Sequence, residues 1–101
     1  MSIPTLSPVE RIILELLVDH GDTFGLDLVE RSEGRVKRGT VYVTLGRMEE
    51  KGYLDSRTAP LQAGAIGLPR RLYRPTAHGL AVLRAWNQAS RVFARLRPKE
   101  V

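Results

Sequence analysis

The chain has 101 residues, enough for one domain with a modest hydrophobic core. Its 16 basic residues outnumber its 11 acidic ones, and the excess is uneven: residues 34–99 hold 14 Lys and Arg but only three acids. This distribution favours a polyanionic partner such as nucleic acid, while the lack of cysteine excludes disulfides and thiolate metal sites.

The segment Ser7–Glu10 has the residues of a helix start. Ser7 is suited to cap the helix, Pro8 to occupy its first position and Glu10 to complete a capping box. A wide apolar stripe follows at helical spacing and predicts the buried face of a first helix: Val9, Ile12, Ile13, Leu16 and Leu17. His20-Gly21-Asp22 should end it.

A short second helix is predicted from Phe24 to about Ser32. Asp22 or Thr23 should cap it, and its inward side chains should be Phe24, Leu26 and Val29. The following Glu33-Gly34-Arg35 predicts a turn, so the second and third helices should lie close together, as in a helix-turn-helix.

The third helix is predicted to begin at Val36 and to end at Gly52, which suits a left-handed C-terminal cap. One face should pack in the core through Val41, Leu45 and Met48, and the opposite face should carry Val36, Thr40, Val43, Arg47 and Glu50. That outer face carries small and β-branched side chains and begins with the cations Lys37 and Arg38. Both features suit a helix that reads the major groove. An ordinary core-packed helix with an inert outer face would give the same periodicity.

Two strands are predicted next, residues 53–57 and 72–74, joined by a long hairpin tip rich in glycine and proline. Arg70 and Arg71 lie at the base of this hairpin. Such residues either contact a phosphate backbone or a minor groove, or they are simply solvated.

Thr76 should cap a final helix that runs to about Leu96. Its apolar residues recur at spacings of 4, 3, 4 and 3 and form a heptad stripe, which favours pairing with a second helix: Val82, Trp86, Ala89, Phe93 and Leu96. Trp86 is interpreted either as a core residue of such a dimer or as a stacking platform for a ligand.

Two segments resemble the PadR family of transcriptional regulators. The first is Gly39-Thr40-Val41-Tyr42, followed by Leu45, Arg47, Glu49, Glu50 and Gly52. The second is the run Gly67–Thr76, followed by Gly79. The resemblance covers about residues 12–79, and it departs from the family at Val43, where a proline is common.

The resemblance implies a mainly α fold with a small β-hairpin, a winged helix-turn-helix in residues 1–75, and a C-terminal dimerisation helix in residues 76–101, all in one compact unit. It also implies a homodimer that binds an inverted repeat in double-stranded DNA, and a small aromatic effector near Trp86. The DNA contacts should come from Lys37, Arg38, Thr40, Tyr42, Val43, Arg47, Arg70 and Arg71. A winged helix that binds only proteins remains the alternative.

Other functional classes find no support in the sequence. The two histidines are far apart, no acidic cluster has metal-ligand spacing, and no glycine-rich phosphate loop follows a strand, so we expect no enzyme, metal or cofactor. No apolar run approaches the roughly 18 residues of a membrane span, and no signal peptide is visible, so a cytoplasmic protein is expected.

Overall fold

The computed structural model describes residues 4–59 and 70–96. In chain order they form α1 (Pro8–His20), β1 (Thr23–Phe24), α2 (Gly25–Arg31), α3 (Val41–Glu50), β2 (Leu54–Thr58), β3 (Arg71–Pro75) and α4 (Ala77–Leu96). The strands make one antiparallel sheet in the order β1-β3-β2. The predicted winged helix-turn-helix with a C-terminal helix is confirmed, while the two-residue strand β1 was not predicted. The predicted hairpin tip lies largely outside the described residues.

The predicted start of α1 is confirmed in detail. The backbone N–H of Glu10 donates to Ser7 Oγ at 3.2 Å, and the N–H of Ser7 donates to Glu10 Oε1 at 2.8 Å. Pro8 occupies the first turn and Gly21 follows the last residue. Together these local hydrogen bonds satisfy backbone donors that the helix itself leaves unpaired.

Glu10 also joins α1 to the end of α3. Its nearly buried carboxylate receives two hydrogen bonds from Lys51 Nζ, at 2.8 and 3.0 Å. Burial alone would raise the pKa of Glu10, but the hydrogen bond from Lys51, those from Ser7 and the charge of Lys51 outweigh it and hold that pKa below its ordinary value. The ion pair therefore favours the folded state wherever the carboxyl is ionised.

Replacing Glu10 with Gln should lower stability at neutral pH. Because the pKa of Glu10 is lowered on folding, its contribution is complete above the ordinary value of 4.5 and is lost as the pH falls through the folded value. Urea unfolding at pH 7 and at about pH 3 should show a larger deficit at pH 7. Glu15→Gln is the control, since Glu15 makes only an exposed pair with Arg11 on the same helix. Equal pH dependence of the wild type and Glu10→Gln would contradict this prediction.

The second helix differs from its prediction. The helix begins at Gly25 with Phe24 as N-cap, and no side chain caps it, so the expected cap by Asp22 or Thr23 is wrong. Thr23 instead lies in β1 opposite Tyr73 and donates its hydroxyl to Asp27 at 2.8 Å. This start places Leu28 in the core and leaves Leu26 exposed, so the inward placement of Leu26 is also wrong.

The third helix is shorter than predicted, since it begins at Val41 rather than Val36. Val36 was placed on the outer face, but only 1% of it is exposed. The cause is the buried Ser32, whose hydroxyl donates to the carbonyl of Val29 at 2.8 Å and accepts the N–H of Val36 at 2.9 Å. This pair of bonds turns the chain after α2 and brings Val36 inward, ahead of α3.

Glycine and threonine form the junctions around the hairpin as predicted. Gly52, with φ of 78°, ends the α3 segment in the left-handed region that glycine adopts at little cost. Thr76 caps α4: its Oγ1 accepts the N–H of Gly79 at 2.9 Å and donates to the carbonyl of Gly52. The C-terminal end of α3 is therefore held against the N-terminal end of α4, beside β2.

The core lies between α1, α2, α3, the sheet and the first half of α4. Most of its largest fully buried side chains come from the first three helices and the start of β2: Ile13, Leu14, Leu17, Leu28, Val41, Leu45, Met48 and Leu54. Val36, between α2 and α3, is also fully buried. None of the helices in residues 4–59 and 70–96 combines the length and apolarity needed to cross a bilayer.

Candidate nucleic-acid interface

The helix α3 has a buried face and an outer face as predicted. Val41, Leu45 and Met48 are completely buried, which fixes the rotation of the helix. The opposite side is exposed and carries Val43, Arg47 and Glu50, with Tyr42 beside them and Thr40 at the N-terminal end. The structure therefore leaves the predicted contact residues of this face, Thr40, Tyr42, Val43 and Arg47, available to a partner.

A basic turn leads into this helix. Lys37 and Arg38 are exposed, and the carbonyl of Lys37 accepts the backbone N–H of Thr40 at 3.2 Å. Thr40 is the N-cap of α3, yet its hydroxyl bonds back to Lys37 rather than into the helix. The two cations thus lie beside the positive end of the helix dipole, where both attract phosphate.

A cleft of about 250 Å³ separates the start of α3 from the base of the hairpin. Its floor is the buried Gly25, against which the ring of Tyr42 packs: an added Cβ at residue 25 would lie 2.8 Å from Tyr42 Cε1. The lining consists of aromatic, basic and small residues: Phe24, Gly25, Leu26, Asp27, Tyr42, Arg70, Arg71 and Tyr73. Sequence reasoning missed this cleft, because its lining residues come from parts of the chain that only the fold brings together.

The guanidinium of Arg70 is held above an aromatic ring. Its Cζ lies 5.3 Å from the centroid of Phe24, a cation–π contact. Arg70 also lines, with Arg38, a second depression along α2. Arg38, Tyr42 and Arg70 are therefore on one side of the molecule, although they come from different parts of the chain.

Arg71 is directed differently. Its guanidinium donates two hydrogen bonds to Ser56 Oγ, at 3.1 and 2.8 Å, and one to Thr58 Oγ1 at 3.4 Å. Ser56 in turn donates to Glu49 at 3.0 Å, which ties the hairpin to the end of α3. Burial, and then the charge of Glu49, raise the pKa of the nearby Tyr73 above its ordinary value, while the charge of Arg71 opposes them. Sequence alone gave no signal for this network, since its members are far apart in the chain.

The helix α4 exposes part of its predicted stripe. Val82 is buried in the core of its own chain, so the exposed stripe begins at Trp86, which is 37% exposed and donates its Nε1–H to the carbonyl of Pro4 at 3.0 Å. Phe93 and Leu96 are 71% and 70% exposed, whereas Ala89 is half-buried. An apolar groove of about 230 Å³ runs beside Trp86 and is lined by Pro4, Ala81, Val82 and Ala85.

No group of three His, Asp or Glu side chains in the described ranges has the arrangement of a metal site.

Comparison with known structures gives a clear set of relatives. A PadR family regulator from Clostridium difficile is 25% identical, with a TM-score of 0.74 over 89% of this chain and 94% of that one. A second PadR family regulator, from Eggerthella lenta, is 27% identical, with a TM-score of 0.69 over 84% and 73% of the two chains.

A third similar structure is the PcaV transcriptional regulator from Streptomyces coelicolor, in complex with its natural ligand. It is 26% identical, with a TM-score of 0.65 over 93% of this chain and 64% of that chain. A search of curated proteins gave no match.

Residues 13–85 match the model of the transcriptional regulator PadR-like family. The match includes α2, α3, the hairpin and the first half of α4, which carry the exposed helix face and the cleft. Members of this family are DNA-binding regulators and not enzymes, in agreement with the expectation from sequence. The chain belongs to the PadR-like family of transcriptional regulators.

Proposed function

We propose that this protein is a repressor that binds a specific inverted-repeat operator as a homodimer. The observation that carries the proposal is the exposed outer face of α3, which basic residues precede and which a completely buried opposite face fixes in orientation. The proposed DNA contacts are the eight residues named from the sequence: Lys37, Arg38, Thr40, Tyr42, Val43, Arg47, Arg70 and Arg71.

The charges along α3 set its direction in the groove. Lys37 and Arg38 precede the helix, whereas Glu49 and Glu50 end it. Phosphates attract the first pair and repel the second, so the N-terminal half of α3 should enter the major groove while its C-terminal end points away from the DNA.

Arg70 and Tyr42 are proposed to hold the backbone beside that groove. The Phe24 ring lies against the Arg70 guanidinium, and Gly25 lets the Tyr42 ring lie close to α2, so both side chains border the same cleft. Arg71 is assigned a smaller role, because its guanidinium already bonds to Ser56 and Thr58.

The homodimer is supported by the exposed half of α4. Trp86, Phe93 and Leu96 present a large apolar surface on one helix, and such a patch usually marks an interface. We therefore assign DNA binding to residues 1–75 and dimerisation to residues 76–101. A two-fold pair of these units would place two recognition helices at a fixed spacing. Repression follows from occupancy, since a dimer on a promoter excludes other proteins from the same DNA.

A small aromatic effector is the second part of the proposal. The groove beside Trp86 is almost entirely apolar, and the indole forms one wall. The similar PcaV regulator holds its natural ligand, which supports an effector for this chain. A planar aromatic molecule between the groove and a partner helix would change the spacing of the two DNA-binding units.

A gel shift with the DNA upstream of the protein's own gene tests the proposal against the alternative, a winged helix that binds only proteins. Binding should be specific for an inverted repeat with half-sites roughly 10 base pairs apart, and it should weaken steeply with salt as phosphate contacts release counterions. Tyr42→Phe should weaken binding and leave the fold intact, because it removes only the hydroxyl that is proposed to contact a phosphate. Binding that is indifferent to both sequence and salt would refute the DNA-binding proposal.

A further inference from the structure

Val43 is the apolar centre of the outer face of α3. It is 57% exposed, and it lies two residues from both Val41 and Leu45, about 200° around the helix from each of these buried side chains. The core therefore does not require an apolar residue there. Valine also has a lower helix propensity than alanine, lysine or glutamate, so helix formation does not require it either.

Two glycines flank Val43 in the chain and leave open space. Gly46 lies one turn after Val43 on α3, and Gly39 lies in the turn before the helix; an added Cβ at either position would meet no atom within 4 Å. Gly46 is in the interior of α3, where glycine is unfavourable relative to alanine, yet no neighbour in the described chain needs the space. The open space leaves room for another molecule to approach this face closely.

We propose that Val43 recognises a thymine in each operator half-site, through contact of its methyl groups with the thymine C5-methyl. This inference rests on the proposed function. In the major groove the edges of the bases present hydrogen-bond donors and acceptors, and the thymine methyl is their one apolar group. Valine placed against any other base edge would cover polar atoms without pairing them, which is unfavourable.

The surroundings of Val43 favour DNA over an apolar protein partner. Thr40 and Arg47, one turn to either side, are exposed polar residues, and Lys37 and Arg38 precede the helix. A protein that covered Val43 would also have to cover these cations. DNA meets both requirements, since its phosphates attract the cations while the thymine methyl contacts the valine.

The test begins with duplexes selected from a random library by the full-length protein. Each thymine in the selected half-sites is then replaced by uracil, one position at a time. Uracil lacks only the C5-methyl and keeps every donor and acceptor of the pair. One position should lower the affinity of the wild type about fourfold per half-site, and about fifteenfold when both half-sites are changed, as expected for loss of one buried methyl group per half-site.

Val43→Ala should bind the thymine and uracil duplexes equally. Because Val43 packs on nothing in the core, this variant should fold normally, and circular dichroism would verify it. Val18→Ala is the matched control: Val18 is another exposed helical valine, 53% exposed, but it lies on α1 and not in the lining of the cleft, so its loss should leave the preference for thymine over uracil intact.

The wild-type measurement does not depend on any variant folding. Specific binding with no uracil-sensitive position would overturn the role of Val43 and leave the proposed function standing, as would a thymine preference that survives in Val43→Ala. Failure to select any preferred duplex would overturn the proposed function and the thymine contact together.

Discussion

Replacing Gly79 with alanine should destabilise the protein by about 3 kcal/mol, the upper range for an overpacked core site. Gly79 is buried in the first turn of α4, and an added Cβ would overlap the carbonyl oxygen of Tyr53 and lie 3.0 Å from its Cα. That backbone cannot easily move, because the N–H of Tyr53 donates to Met48 at 2.8 Å and its carbonyl accepts from Thr76 at 2.9 Å. The helix α4 would have to shift away from the hairpin.

Gly46→Ala is the matched control for that prediction. Gly46 is also helical, but an added Cβ there meets open space, so the substitution should stabilise α3 by up to about 1 kcal/mol through helix propensity. Urea unfolding at one protein concentration should therefore give changes of opposite sign for the same chemical substitution. Equal effects would contradict the close packing of α4 against Tyr53.

The features predicted correctly from the sequence are those made by local interactions. The capping box of Ser7 and Glu10, the left-handed Gly52 and the Thr76 cap each depend on residues within a few positions of one another, apart from the further bond from Thr76 to Gly52. The core face of α3 was equally accessible, because Val41, Leu45 and Met48 repeat with the period of the helix.

The errors arise where distant parts of the chain meet. The strand β1 exists because Thr23 and Phe24 pair with Tyr73 and Leu72, some fifty residues later, and this pairing moves the start of α2 and turns Leu26 outward. The sequence pattern does not indicate that these distant residues pair. The two-residue length of β1 also leaves no alternation to detect.

Val36 shows a different limit of periodicity. Its spacing from Thr40 and Val43 fits the outer face of a longer helix, but the Ser32 hydroxyl and the positive φ values of Glu33 and Gly34 redirect the chain before α3 begins. Gly39 inside the proposed helix was the available signal, since glycine is unfavourable in a helix interior. The residues of the candidate interface could be proposed from the sequence one by one, for example Tyr42 and Arg70. The cleft that both of them line could not be predicted, because only the fold brings these two residues together.

The dimer proposal predicts the second large effect. Phe93→Glu should raise the dimer dissociation constant about a hundredfold or more, as truncation of a central aromatic residue commonly does at an interface. Each dimer would lose two apolar rings and would have to desolvate two carboxylates. Phe93 is a better position than Trp86 for testing the dimer, because a substitution of Trp86 would also remove the hydrogen bond from its indole to Pro4 within the same chain.

Operator binding should fall along with dimerisation, although Phe93 is not among the proposed DNA contacts. A dimer binds its second half-site at high effective concentration, and a monomer loses that advantage. Gln88→Glu is the matched control, since it adds the same charge to an exposed position of α4 about 140° around the helix from Phe93. Sedimentation velocity at micromolar concentration should show dimers for the wild type and Gln88→Glu and monomers for Phe93→Glu. A wild-type monomer under these conditions would remove the partner that covers Phe93 and Leu96, and with it the paired half-sites.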